Sequence, residues 1–192
     1  VDVAKALAAW KRSTNNKMQF VIVNNEQEAD IIVNWSDRIN KDNASSSTKG
    51  HKNAWGITKV GNPTVVTIAT KHPLQTDMVL SDSNIYMIAL HEIGHALGMW
   101  WHSRDPGDIM YPDYIVPSSN VKGARIVTNT KNTGQLSSRD VNNLLALYRN
   151  NKAIALNTLS RNSKISLPLS DQVELANSTN NTENIETTGI AA

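Results

Sequence analysis

A chain of 192 residues is long enough for one domain with a proper core, and 40% hydrophobic residues are ordinary for a globular protein. The 19 basic and 17 acidic side chains leave a net charge of +2, so nothing recommends nucleic acid or an anionic membrane as a partner, and no apolar run approaches membrane-spanning length. The absence of cysteine excludes disulfides, thiolate metal ligands and a cysteine nucleophile.

The chain opens at Val1 without a basic segment followed by an apolar stretch, so no signal peptide is read in it. "DVAKALAAWKRST" places Val3, Ala6, Leu7 and Trp10 on one helical face, with Asp2 as the expected N-cap. "MQFVIVNN" and "ADIIVNW" are β-branched runs and read as strands, while 37–53 reads as a polar loop. "AWGITKV" and "TVVTIAT" read as two further strands across a Gly61-Asn62-Pro63 turn. "SNIYMIALHEIGHALG" reads as a helix capped by Ser83 or Asp82, with Gly98 at the left-handed position that ends it. Residues 112–134 read as a long irregular loop. "SSRDVNNLLALY" reads as a last helix, with Ser137 and Asp140 at capping-box spacing and a buried stripe of Val141, Leu144, Leu145 and Tyr148. Beyond about Ser160 the chain is rich in Ser, Thr and Asn and lacks aromatics, which predicts a disordered tail or linker over 160–192.

The chemistry concentrates in "HEIGHALGMWWHS", residues 91–103. On a helix, positions i and i+4 share a face, so His91 and His95 point the same way and can share one ion. Glu92 is rotated by about 100° from His91; it is poorly placed as a ligand but can reach a water near the ion. Two or three neutral imidazoles with an open position suit Zn2+, which makes such a water acidic enough for a carboxylate to take its proton. The bland alternative is an amphipathic helix with two surface histidines. Three features weigh against it: Gly98 allows a sharp turn, His102 follows that turn, and "DIMYP" places Met110 eight residues further on.

These residues resemble the metzincin zinc endopeptidases, H-E-x-x-H-x-x-G-x-x-H followed by a Met-turn, and within them the matrixins, the matrix metalloproteinase family and its bacterial relatives. "HSRDPGDIMYP" has the matrixin spacing and "QLSSRDVNNLLALY" resembles the closing helix, so the resemblance covers about Asp2 to Arg149. It implies an α/β (α+β) fold: a twisted mixed sheet over an active-site helix, with a small C-terminal subdomain after Gly98. It implies a catalytic domain over 1–150 with its zinc site at 91–110. His91, His95 and His102 would be the metal ligands, Glu92 the catalytic base, Met110 the floor beneath the ion, and Tyr111, Pro112 and Tyr114 part of the substrate pocket. The implied substrate is a protein or peptide, cut by a monomer outside the cell.

Two departures accompany the resemblance. The family places the third histidine ten residues after the first, but Trp101 stands there and His102 comes one residue late; tryptophan cannot ligate zinc, so His102 is the candidate. The segment before the helix also lacks the His- and Asp-rich stretch that binds structural zinc and calcium in animal matrixins, so the sequence does not support Ca2+. His51 and His72 read as solvated loop residues, Asp105 and Asp108 as turn residues, and Trp100 and Trp101 equally as cleft walls or caps on the core. A peptidase with a distant glutamate ligand is disfavoured, because no glutamate lies between Glu92 and Glu174. A catalytically silent metal- or protein-binding domain is the competing class, and the presence of Glu92 argues against it.

Overall fold

The computed structural model describes residues 2–40, 53–73, 77–112, 134–150, 162–168 and 171–172. Helix α1 (Asp2–Ser13) buries Val3, Ala6, Leu7, Ala9 and Trp10, the face its apolar spacing dictates. Asp2, expected as the cap, is the first helical residue instead, where a carboxylate still suits the helix dipole. Strands β1 (Gln19–Val23) and β2 (Ile31–Ser36) follow, joined through a single 3-10 turn at Glu26–Glu28. The ends of the expected polar loop pair as a small antiparallel ribbon, β3 (Ile39–Asn40) with β4 (Asn53–Ala54); residues 41–52 lie outside the described residues. Strands β5 (Gly56–Lys59) and β6 (Thr64–Ala69) form the expected hairpin, with a cis Asn62–Pro63 bond in its turn.

Helix α2 (Asp82–Ala96) is capped by Ser81, whose hydroxyl accepts from the Asn84 N–H, rather than by Asp82 or Ser83. Helix α3 (Ser138–Asn150) starts on the expected capping box: the Asp140 N–H donates to the Ser137 hydroxyl, and the Ser137 N–H donates back to the Asp140 carboxylate, both at 3.0 Å. Its buried stripe is narrower than expected. Leu144 is fully buried, Leu147 and Tyr148 pack beside it, and Val141 and Leu145 are only partly covered.

The largest difference from expectation concerns the end of the chain. Asn162–Ser166 forms strand β7, placed between β1 and β2 in a five-stranded sheet of order β1-β7-β2-β6-β5. It runs parallel to both neighbours, and only the β5–β6 pair is antiparallel. A tail reading therefore fails for 162–168, because Ile165 and Leu167 enter the core and Ser163 and Ser166 are small enough to be buried inside the sheet. Residues 173–192 lie outside the described residues.

One face of the sheet carries α1 and α2. The Trp10 indole N–H donates to the Leu90 carbonyl at 3.0 Å, tying the two helices together. Trp10, Ile31, Ile68, Ile88, Leu90, Ile93 and Ile165 fill the space between helices and sheet with almost no exposure. Each such side chain contributes about 1.5–3 kcal/mol by leaving water, so α2 rests on a rigid base. Among the described residues no helix is long and apolar enough to cross a membrane.

Candidate metal centre

Helix α2 ends in a tight reversal. The Gly98 N–H bonds the His95 carbonyl at 2.9 Å and the Met99 N–H bonds the Gly94 carbonyl at 3.1 Å, with Gly98 at φ +102°. This is a Schellman turn, whose left-handed residue favours glycine. The chain then doubles back and brings His102 to the two helical histidines. One ligand-capable atom from each of His91, His95 and His102 lies within 4.8 Å of the others, and His95 Nε2 is 3.2 Å from His102 Nε2. The extra residue before His102 is absorbed by the turn.

Two of the rings are oriented from behind. His91 Nδ1 meets the Ile109 carbonyl at 2.7 Å and His95 Nδ1 meets the Met99 carbonyl at 2.6 Å. A carbonyl only accepts, so both Nδ1 atoms carry the proton and both Nε2 atoms present lone pairs. Burial, reinforced by the neighbouring His95 and His102, holds His91 down to about 3. His95 is also lowered, chiefly by burial. Neutral imidazoles are the form that binds a metal. Donors at about 2.0–2.1 Å from a tetrahedral zinc would stand about 3.3 Å apart, close to the 3.2 Å between His95 and His102 Nε2. The donor set fits the ion.

Glu92 lies on the sheet side of this cluster at 4% exposure. Its carboxylate accepts the Thr58 hydroxyl at 2.8 Å. Burial pushes the carboxyl up to about 7, and the Thr58 bond opposes that rise. A cation on the histidines would draw it down again.

Met110 is buried and its sulfur occupies the space beside Gly94; a Cβ on Gly94 would come within 2.5 Å of it. The backbone here is held by α3. Asp140 accepts the N–H of Ile109 at 2.9 Å and of Met110 at 3.3 Å. The loop from His102 to Met110 is closed by the Ser103 N–H on the Met110 carbonyl at 2.7 Å and by a two-pronged Arg139–Asp108 pair at 2.6 and 3.1 Å. Asp105 and Asp108 serve the turn, as expected, and neither belongs to the histidine cluster.

The remaining candidates divide. Trp100 and Trp101 are 49% and 44% exposed, so they do not cap the core. Tyr111 is half-buried and Pro112 exposed, just past Met110; Tyr114 and His51 lie outside the described residues. His72, expected in a solvated loop, is instead buried, with its ring against the edge of Trp55 at 4.7 Å between centroids. Two contributors were missed in the sequence: Thr58, and the second role of Asp140 as a tie to the Met110 backbone. A Gly-x-Thr pair in a strand is a faint signal, and Asp140 was already accounted for as a cap.

The Peptidase_M10 (Matrixin) family model matches residues 1–149. The chain belongs to the matrixin family. It is 32% identical over 133 residues to human matrix metalloproteinase-20, covering 63% of this chain and 26% of that protein. It is 33% identical over 119 residues to the probable matrix metalloproteinase 095L of Invertebrate iridescent virus 3, covering 55% of this chain and 30% of that one. A short stretch of 31 residues is 55% identical to human neutrophil collagenase, covering 16% and 6% of the two chains. The chain thus spans less than a third of the length of these relatives. Matrixin membership supports a metalloprotease function and the mixed α/β architecture, and β7 lies beyond the matched residues.

Proposed function

We propose that this matrixin is a zinc-dependent endopeptidase acting on proteins or peptides outside the cell, as a monomer. The observation that carries the proposal is the convergence of His91, His95 and His102 on one point, with the buried carboxylate of Glu92 on the residue next to the first of them. When bound, zinc supplies Lewis acidity, polarising the carbonyl to be cut and lowering the pKa of water towards about 7.

The chain's own residues do the rest. The three imidazoles hold the ion, and the Ile109 and Met99 carbonyls keep His91 and His95 in the binding tautomer. Glu92 accepts a proton from the attacking water on its carboxylate and hands it to the amide nitrogen as the C–N bond breaks, so the hydroxyl ends on the acyl carbon and the proton on the new amine. Met110 gives the ion a dry, apolar floor. Tyr111 and Pro112 begin the wall that receives the residue after the cut bond, and an apolar residue is the expected occupant.

The test combines metal analysis with a quenched peptide substrate. Cleavage should stop with a chelator and return with zinc. Glu92→Ala should keep about one zinc per chain while losing on the order of 10²–10⁴ in rate. Zinc binding without cleavage by the parent chain would instead mark a silent metal-binding domain.

A further inference from the structure

The carboxylate of Glu92 is positioned from the edge strand, not from its own helix. Thr58 lies on β5 and its hydroxyl oxygen is 2.8 Å from Glu92 Oε2 and 3.0 Å from the Glu92 backbone carbonyl. One hydroxyl thus reaches both ends of the same residue, which restricts the rotation of the side chain between them. Two residues earlier on the same strand face, Gly56 makes the space. A Cβ there would come within 2.5 Å of Glu92 Cγ, 2.6 Å of Oε1 and 2.8 Å of Cδ. Gly56 does not have a positive φ, so the glycine answers a need for room and not for an unusual backbone.

We infer that Gly56 and Thr58 form a cradle that fixes the orientation of the Glu92 carboxylate, with Thr58 acting as a positioning residue for the reaction. The inference rests on the reading of Glu92 as the general base. A plain structural tie between strand and helix would need only the backbone carbonyl as acceptor. The single Thr58 hydroxyl proton is instead shared with the carboxylate, the shorter of the two contacts, and both this contact and the missing side chain at Gly56 act on the group that moves the proton. Alternation along a strand puts positions i and i+2 on one face, so a single short strand supplies both parts.

The experiment compares Thr58→Val, Thr58→Ser, Gly56→Ala and Glu92→Ala in the zinc-loaded chain, reading kcat, KM and zinc content. Thr58→Val keeps the shape and removes the hydroxyl. Its kcat should fall about tenfold or more, with KM and zinc content near the parent's, since displacing a reacting group by about 1 Å costs up to about 10²-fold. Thr58→Ser should restore kcat to within a few-fold, and Gly56→Ala should reproduce the loss by pushing the carboxylate aside. A Thr58→Val protein with parental kcat overturns the inference, and so does a Thr58→Ser protein as slow as the valine variant. If the valine variant does not fold, Thr58→Ala takes its place and the same outcomes apply. Glu92→Ala separates the two layers: if it stays active, the base assignment falls and the cradle with it; if it is inactive while Thr58→Val is unimpaired, only the cradle falls.

Discussion

Asp140 holds the backbone of Met110. Its buried carboxylate accepts the N–H groups of Met110, Ile109 and Ser137, at 3.3, 2.9 and 3.0 Å. Ile109 in turn offers its carbonyl to His91 Nδ1, so one peptide unit connects the start of α3 to a ring of the centre. Asp140→Ala should leave these donors without an acceptor and cost about 3 kcal/mol or more. For a chain of this size that is a drop in Tm of roughly 6–12 °C. Zinc affinity should fall about 10–100-fold, as for other groups that orient a ligand. Calorimetry and competitive zinc titration read the two effects, and unchanged values for both would show that the tie is dispensable.

The late third histidine gives a second prediction. His102→Ala should lower zinc content and activity together, whereas Trp101→Ala should keep the metal, because an exposed indole beside the ring offers no donor to the ion. Metal analysis after dialysis decides. Full retention of zinc by the His102 variant would assign the third ligand elsewhere.

Acid should loosen the loop that carries His102. Burial works to raise Asp108, but the bonds from Arg139, Ser103 and Ser137 and the charge of Arg139 outweigh it and hold its carboxyl below the usual range. A carboxyl depressed in the folded state stabilises the fold above its unfolded value of about 4 and loses that contribution as pH falls through the depressed value. Urea midpoints followed downward from about pH 6 should therefore decline, and Asp108→Asn, lower at neutral pH, should decline less. Parallel curves for the two proteins would remove Asp108 from the account.

Strand β7 predicts that the segment after residue 160 is needed for stability. Ile165 is fully buried, and the Lys164 N–H donates to the Asp30 carboxylate at 2.8 Å. Ile165→Ala should cost about 2–5 kcal/mol, and a chain ending near residue 160 should unfold at a markedly lower temperature. A truncated chain with parental Tm would show that β7 adds nothing to the sheet.

The sequence showed most where periodicity and chemistry coincide. The i, i+4 pair at His91 and His95, the glycine at the helix end and the capping box of Ser137 and Asp140 could each be read one residue at a time, and the first two pointed to the place where the three histidines come together. It showed least where packing overrides local character. The run Asn162–Ser166 has one large apolar residue, yet the middle of a parallel sheet accepts Ser163 and Ser166 because small side chains fit between crowded backbones. His72 sits in a polar stretch and is buried, with Trp55, remote in sequence between β4 and β5, packed against its ring. Thr58 touches Glu92 across 34 residues, a distance over which no local pattern speaks.

The place of β7 also sets an order of assembly. Lys164 and Asp30 are 134 residues apart in the chain, and a domain is synthesised at about 5–20 residues per second. The facing edges of β1 and β2 are therefore made long before the strand that joins them, while α2 already has its partners α1, β5 and β6. Parallel pairings this remote in sequence are slow to close. Nascent chains halted before residue 162 should keep β1, whose only sheet neighbour is β7, open to protease while α2 and the β6-paired β2 are shielded, and equal protection of both regions would refute this order. The half of the molecule that carries the three histidines would then take shape first, and the sheet would be sealed last.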